Sequence, residues 1–300
     1  MKQLTLLLFS LLLFSCGEKK TSEKMVSVTI EPQKYFAEKI AGDKFIINCV
    51  VPSGQSPETY DPTPQQMINI GKSLAYLKIG YIGFEMAWMD NIIQNNPNLK
   101  IFDLSEGISL IGNPDEEMHE AHADEAGEHE DEHEHQHTGT DPHTWNSVAG
   151  AKTVAWNTLQ AFIALDKENT QYYFTNYTAL LAEIEKTEAV INKLLDGLNN
   201  RTFIIYHPAL GYFANEYQLT QLCIEMDGKE PSPAQLKELV DVARANNTRV
   251  VFIQQEFDQK NAELIARETG CKLVRINPLS YNWSEEMIKI AQSLKDAEAN

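Results

Sequence analysis

The stretch that decides the fold is DKENTQYYFTNYTALLAEIEKTEAVINKLLDGL, residues 166–198. It holds no proline and no glycine before Gly197, and its apolar residues recur at helical spacing. Such a run predicts one helix of roughly 30 residues, about 45 Å long at 1.5 Å per residue. Two sets of short β-branched runs flank it. Before it come SVTI (27–30), FIINCVV (45–51), LAYLKIG (74–80) and LKIFDLS (99–105), with helical patterns such as PQKYFAEKIAG and TPQQMINIGKS between them. After it come RTFIIYH (201–207), LTQLCIEMD (219–227), RVVFIQQEF (249–257) and KLVRINP (272–278), separated by PAQLKELVDVARAN and DQKNAELIARETG. Each set has a βαβ rhythm, which implies an α/β fold with a parallel sheet covered by helices. A stiff helix between the sets, in place of flexible hinge strands, limits how far they open and close.

The N-terminus indicates where the protein works. Lys2 precedes an apolar stretch from Leu4 to Phe14, followed by Ser15, Cys16 and Gly17. This has the parts of a secretory signal, and it is too short for a membrane span, which needs roughly 20 apolar residues. Cys16 directly after Ser15 resembles a bacterial lipobox. Residues 1–15 are therefore expected to be a lipoprotein signal peptide, Cys16 the lipidated first residue, and 16–25 a polar tether. About 285 residues remain, more than one compact domain usually holds. A net charge of −18 argues against a nucleic-acid partner, which needs clustered Lys and Arg, and fits a protein that concentrates cations. Cys49, Cys223 and Cys271 remain in the mature chain without a CxxC spacing. They read as buried thiols, with a Cys223–Cys271 bridge as the alternative.

Six of the eight histidines, His119, His122, His129, His133, His135 and His137, are interleaved with Glu and Asp. No Lys or Arg occurs between Lys100 and Lys152. Runs of like charge are usually solvated, but charge alone does not require six imidazoles. The segment reads as a weak, multivalent metal-collecting loop within 113–140. The other two histidines, His143 in DPHTW and His207 in YHPALGYF, stand in well-patterned sequence. Neutral imidazole is the commonest protein ligand for transition metals. The bland alternatives are a loop histidine bonded to Asp141 and a satisfied core histidine at a strand end.

Five segments, PSGQSPETYDPTPQQM, DPHTWNSV, YHPALGYFANEYQL, VVFIQQEFDQ and INPLS, resemble, in order, signature segments of the metal-binding lipoproteins of ABC importers. These are the cluster A-I solute-binding proteins, and the closest resemblance is to the ZnuA-like zinc-binding branch, whose His-rich acidic insertion sits just before its DPHxW segment. The resemblance covers nearly the whole mature chain. It implies two (β/α) lobes with parallel four-stranded sheets, joined by one long rigid helix, with a metal in the interlobe cleft. The N-terminal lobe would span 26–165, the linker 166–198 and the C-terminal lobe 199–300.

The same resemblance implies a ligand set. His143 and His207 fall on the family's histidines, while Glu58 in SPETYDP takes the place of the usual histidine. A carboxylate binds Zn²⁺ at about 2.0–2.2 Å and substitutes for imidazole. The competing role for Glu58 is to cap a helix beginning near Pro64. The manganese branch often completes its site with an Asp before PLG, whereas this chain has Asn277, so the fourth donor is left among Glu256, Gln255, Asn277 and water. Trp145 reads as a packing aromatic under the cleft, and Asp61 as a turn former.

Two imidazoles and one carboxylate suit Zn²⁺, whereas Mn²⁺ would prefer more oxygen. The expected function is that of an extracytoplasmic, membrane-anchored receptor on the periplasmic side of a bacterial envelope. A monomer, it delivers zinc to an ABC permease driven by its ATPase. The alternatives are a lipid-anchored zinc buffer or adhesin without a transporter, and a manganese receptor of the same family. A zinc hydrolase is the rival from another class, because an open fourth position is also a catalytic feature. No HExxH occurs, however, and Glu256 is the one evident base, so no enzyme activity is expected.

Overall fold

Apolar runs and turn residues punctuate the chain into alternating strands and helices. The computed structural model describes residues 24–112, 139–225 and 229–298. The expected signal peptide, Cys16 and the six clustered histidines (His119, His122, His129, His133, His135 and His137) lie outside the described residues.

Strands β1 (Met25–Val28), β2 (Ile46–Cys49), β3 (Ala75–Lys78) and β4 (Lys100–Asp103) form one parallel sheet in the order β2-β1-β3-β4. Strands β5 (Thr202–Ile205), β6 (Thr220–Cys223), β7 (Val250–Gln254) and β8 (Lys272–Ile276) form a second in the order β6-β5-β7-β8. The two orders are the same, so each lobe has its crevice at the carboxyl ends of its first and third strands, where the direction of winding reverses.

The helices are α1 (Glu31–Ala41), α2 (Pro64–Lys72), α3 (Gly83–Asn95), α4 (Val148–Leu165), α5 (Thr170–Leu195), α6 (Gly211–Glu216), α7 (Pro233–Ala245), α8 (Lys260–Thr269) and α9 (Trp283–Glu298). Both α2 and α7 start with a capping box and a proline in the first turn. Thr63 pairs with Gln66, and Ser232 with Gln235. Thr63, not Glu58, therefore caps α2.

The linker α5 has 26 residues, about 39 Å at 1.5 Å per residue, and is shorter than the run 166–198 suggested. A 3₁₀ turn over Lys167–Asn169 precedes it. Asp166 fixes that start by accepting bonds from Lys24 Nζ (2.9 Å), Tyr173 Oη (2.8 Å) and Asn169 Nδ2 (2.9 Å). At the other end Asp196 is extended and Gly197 has φ +66°, which stops the helix.

The central strands of the C-terminal lobe, β5 and β7, are apolar on both faces, and the packing shows why. Phe203, Ile205, Val250 and Phe252 join the main core, which runs through the linker into the N-terminal lobe. Ile204, Tyr206, Val251 and Ile253 join a second core with residues of α7 and α8. Alternate side chains thus serve different layers, so the sequence reads as a continuous apolar run.

The lobes are pinned together beneath the cleft. Trp145 Nε1 donates to Pro278 O at 2.9 Å, and Trp283 Nε1 donates to Trp145 O at 2.7 Å. Further out, Glu183 on the linker accepts from Lys39 and Tyr35 of α1 and from Ser284 of α9. No disulfide joins Cys223 to Cys271, whose Sγ instead donates to Thr248 O at 3.1 Å. Among the described residues, no helix is long and apolar enough to cross a membrane.

Candidate metal site

Glu58, His143 and His207 converge in the crevice between the two sheets, each offering a donor atom within 4.8 Å of the others' donors. The sequence scatters them over 150 residues. The fold unites them because each sits just beyond a strand or in the loop that follows it. Glu58 lies between β2 and α2, His143 between β4 and α4, and His207 two residues after β5.

Glu58 is held by the start of α3. Its Oε2 accepts from Gly83 N at 2.9 Å, and Phe84 N donates to Pro57 O at 2.8 Å. These are N–H groups of a helix's first turn, where a negative charge is favoured. Gly83 is required there, because a Cβ would stand 2.2 Å from Glu58 O. Glu58 Oε1 is buried with no hydrogen-bond partner in the protein. One oxygen is thus anchored and the other is left to point at the crevice.

His143 is buried, and Asp141 Oδ1 accepts from both its backbone N (2.9 Å) and its Nδ1 (2.8 Å). The bland expectation of a loop histidine bonded to Asp141 is therefore met, and that bond is what aims the ring. Asp141 is itself braced from the other lobe: Tyr212 Oη donates to its backbone O at 3.0 Å, and a Cβ on Gly211 would stand 2.2 Å from its Oδ2. His207 mirrors this pairing, with Nδ1 facing Glu225 Oε2 at 3.1 Å. Gln254 straps its backbone, accepting from His207 N (3.3 Å) and donating to His207 O (2.7 Å), while Phe257 stacks on its ring at 5.3 Å between centroids.

Both carboxylates fix the proton of a neutral imidazole on Nδ1, which leaves each Nε2 lone pair facing inward. The two Nε2 atoms are 3.3 Å apart. Two ligand nitrogens on one tetrahedral zinc, each at about 2.0–2.1 Å, stand about 3.3–3.4 Å apart. Lone pairs at that separation repel unless a cation or a proton lies between them. Burial pushes the His207 pKa down, but the hydrogen bond and charge of Glu225, with Glu58 and Asp141 behind, outweigh it and raise the pKa above the ordinary imidazole value.

The cavity among these groups is about 20 Å³, room for one ion or water-sized group. No Lys or Arg lines it, whereas Glu256 does. Burial raises the Glu256 carboxyl above the usual range, and its Oε1 is buried without a partner. Gln255 is exposed and absent from the lining. Asn277 is turned away, with Oδ1 accepting from Leu279 N at 3.2 Å. Trp145, fully buried, packs against His143 as expected, and Asp61 accepts from Trp88 Nε1 at 3.3 Å, away from the crevice.

Glu225, Gly83 and Gln254 were not singled out by the sequence. Glu225 had a signal: a carboxylate two residues past β6, beside the strand that carries His207. Gly83 had a weaker one, as a glycine opening an apolar helix after a strand.

Several known proteins with this architecture carry metal-uptake or metal-binding names. The family described as zinc-uptake complex component A, periplasmic (ZnuA), matches residues 26–297. The high-affinity zinc uptake system protein ZnuA of Bacillus subtilis is 29% identical over 291 residues, covering 93% of this chain and 88% of its own. A crystal structure of ZnuA superposes with a TM-score of 0.81 at 34% identity, covering 92% of this chain and 99% of that one. A ZnuA deletion mutant with zinc bound gives a TM-score of 0.80 at 34% identity, covering 92% and 98%.

Proposed function

The chain belongs to the ZnuA family of cluster A-I solute-binding proteins, and from that premise we propose that it is an extracytoplasmic zinc receptor delivering its ion to an ABC importer. Glu58, His143 and His207 are its cleft ligands. The observation that carries this reading is the pair of Nε2 atoms, 3.3 Å apart, each backed by a carboxylate on its Nδ1. A core histidine kept for packing would turn its second ring nitrogen to a protein oxygen, whereas these two turn theirs to each other across the cavity. The family is one of substrate-binding receptors, and the size of the cavity supports a receptor over a hydrolase. The cavity admits one small group, and a substrate would have to displace the lobes that are pinned beneath it.

The three converging groups favour zinc over Mn²⁺, since two of their three donors are imidazole nitrogens. Cu²⁺ would bind such groups more tightly by intrinsic preference, so the physiological cargo follows from supply as well as affinity. Zinc arrives between the lobes, meets the anchored carboxylate of Glu58 and the inward lone pair of His143, and is closed over by His207. Release to a permease, powered by its ATPase, requires only that the two nitrogens part. Residues 1–15 act as signal peptide, Cys16 as the lipid anchor, and the His-rich segment within 113–140 as a supply of loosely held ions.

Metal analysis of protein purified from its native compartment tests the assignment, paired with Glu58→Ala and His207→Ala. One stoichiometric zinc in the unaltered protein, lost in both variants, is the expected result. Retention of one cleft metal in both overturns the site. Removal of residues 115–139 should lower zinc uptake under limitation while leaving the single cleft ion in place.

A further inference from the structure

The end of β7 carries a group that the three-ligand site leaves unused. We propose that Glu256 is a fourth, movable ligand, delivered by the loop after β7, so that two imidazoles and two carboxylates surround the divalent ion and the loaded site is neutral overall. The proposal deepens the receptor reading and rests on it.

Position is the first argument. In the C-terminal lobe the winding reverses between β5 and β7, and α/β sheets bind ligands in the crevice beyond the carboxyl ends of the strands at such a point. His207 stands two residues past the end of β5, and Glu256 two residues past the end of β7. The two strand ends are also tied together. Gln254, two residues before Glu256, bonds both backbone polar groups of His207, and Phe257, the residue after it, stacks on the His207 ring. Glu256 is thus bracketed by the two side chains that hold a ligand in place.

The second argument is satisfaction of polar atoms. Glu58 and Glu256 each have one buried carboxylate oxygen without a partner, and both residues line the same cavity, which no Lys or Arg enters. Buried anionic oxygens are costly unless a cation or donor meets them. A divalent ion would meet both, and two carboxylates would balance its charge. The rivals for the fourth position are spoken for: Gln255 faces solvent and Asn277 Oδ1 closes its own turn.

Glu256 stands outside the group whose donors lie within 4.8 Å of one another. It has to swing inward to bind, by rotation of its own side chain or a shift of its loop. It therefore acts after the other three, as the closing ligand. Because the added donor is oxygen, it matters more for an oxygen-seeking ion such as Mn²⁺ than for Zn²⁺.

The test uses the mature protein with Zn²⁺ and Mn²⁺ in competition with a chromophoric chelator, and Co²⁺ as a spectroscopic probe. Glu256→Gln, nearly isosteric and in a loop, should weaken Zn²⁺ binding at least about tenfold, the lower end of what losing an outer-shell support costs. It should weaken Mn²⁺ binding further and alter the visible Co²⁺ spectrum. Glu256→Asp, which keeps the charge and shortens the reach, should fall between. Unchanged affinities and spectrum in Glu256→Gln, with binding abolished in His207→Ala, overturn the role of Glu256 and leave the three-ligand site intact. Unchanged binding in His207→Ala as well would overturn the receptor reading itself.

Discussion

The two lobes share a strand order, yet they hold their histidines differently. His143 is buried, and Asp141 touches it twice, at 2.8 Å and 2.9 Å. Asp141 is in turn wedged against Gly211 and Tyr212 of the opposite lobe. His207 is half-buried and meets Glu225 once, at 3.1 Å, with Gln254 restraining only its backbone. The N-terminal lobe also supplies Glu58, locked on the first turn of α3. One jaw is preorganised and the other is adjustable. A receptor needs both, because a site rigid on both sides would bind tightly and release slowly.

That asymmetry can be broken directly. His143→Ala and His207→Ala should each weaken zinc binding by more than about 100-fold, above the range for losing a supporting group. His143→Ala should be the worse, because His207→Ala leaves Glu58 and His143 together on one lobe as a two-point chelate. Chelator competition measures both, and equal losses would remove the distinction between the jaws. One step down are the supporting carboxylates. Asp141→Asn and Glu225→Gln should each cost about 10- to 100-fold, with Asp141→Asn at the upper end, since it disturbs a buried partner bonded twice.

Much of this was legible in the residues. Alternating apolar runs located all eight strands because each strand carries one or two faces of core. The histidines stood out because imidazole in an otherwise His-free, well-patterned segment is conspicuous. The lengths of elements were less legible. The linker helix starts at Thr170 because Lys24, Tyr173 and Asn169 converge on Asp166, and two of those three contacts could not be weighed from a local pattern. The supports of the site were hidden for the same reason. Glu225 acts across the neighbouring strands β6 and β5, and Gly83, after β3, reaches Glu58, after β2, with β1 lying between those strands; a single sequence does not display which strand lies beside which. The Cys223–Cys271 alternative failed because β6 and β8 are the opposite edges of one sheet.

Proton competition sharpens the comparison further. The metal-free His207 pKa is raised, since Glu225 outweighs burial, so its inward nitrogen stays protonated to a pH above the ordinary imidazole value of about 6.5. Zinc must displace that proton. Affinity should therefore fall as pH drops through a point above about 6.5, earlier than for an unsupported imidazole. The same shift favours the folded metal-free protein: the contribution is full below the unfolded value and is lost as pH rises through the folded one. Glu225→Gln removes the main raising influence and leaves burial with the weaker pull of Glu58 and Asp141, so its zinc binding should be weaker at neutral pH but less steeply dependent on pH. An unchanged slope in that variant would mean that Glu225 does not set the proton affinity of His207.

The smallest effect on binding should come from the pins beneath the jaws, and it separates rigidity from ligation. Trp283→Phe removes the donor that Trp145 O receives at 2.7 Å, leaving a buried carbonyl unpaired at a cost of about 1–3 kcal/mol of stability. Trp145 keeps its own bond to Pro278 O, and each of the three converging side chains keeps its local support: Gly83 for Glu58, Asp141 for His143, and Gln254 with Glu225 for His207. Zinc affinity should then change by less than about tenfold, or 1.4 kcal/mol, while thermal stability falls clearly. If binding collapses to the level of His207→Ala, lobe docking rather than side-chain anchoring holds the two nitrogens at 3.3 Å, and the fixed jaw exists only while the lobes are latched.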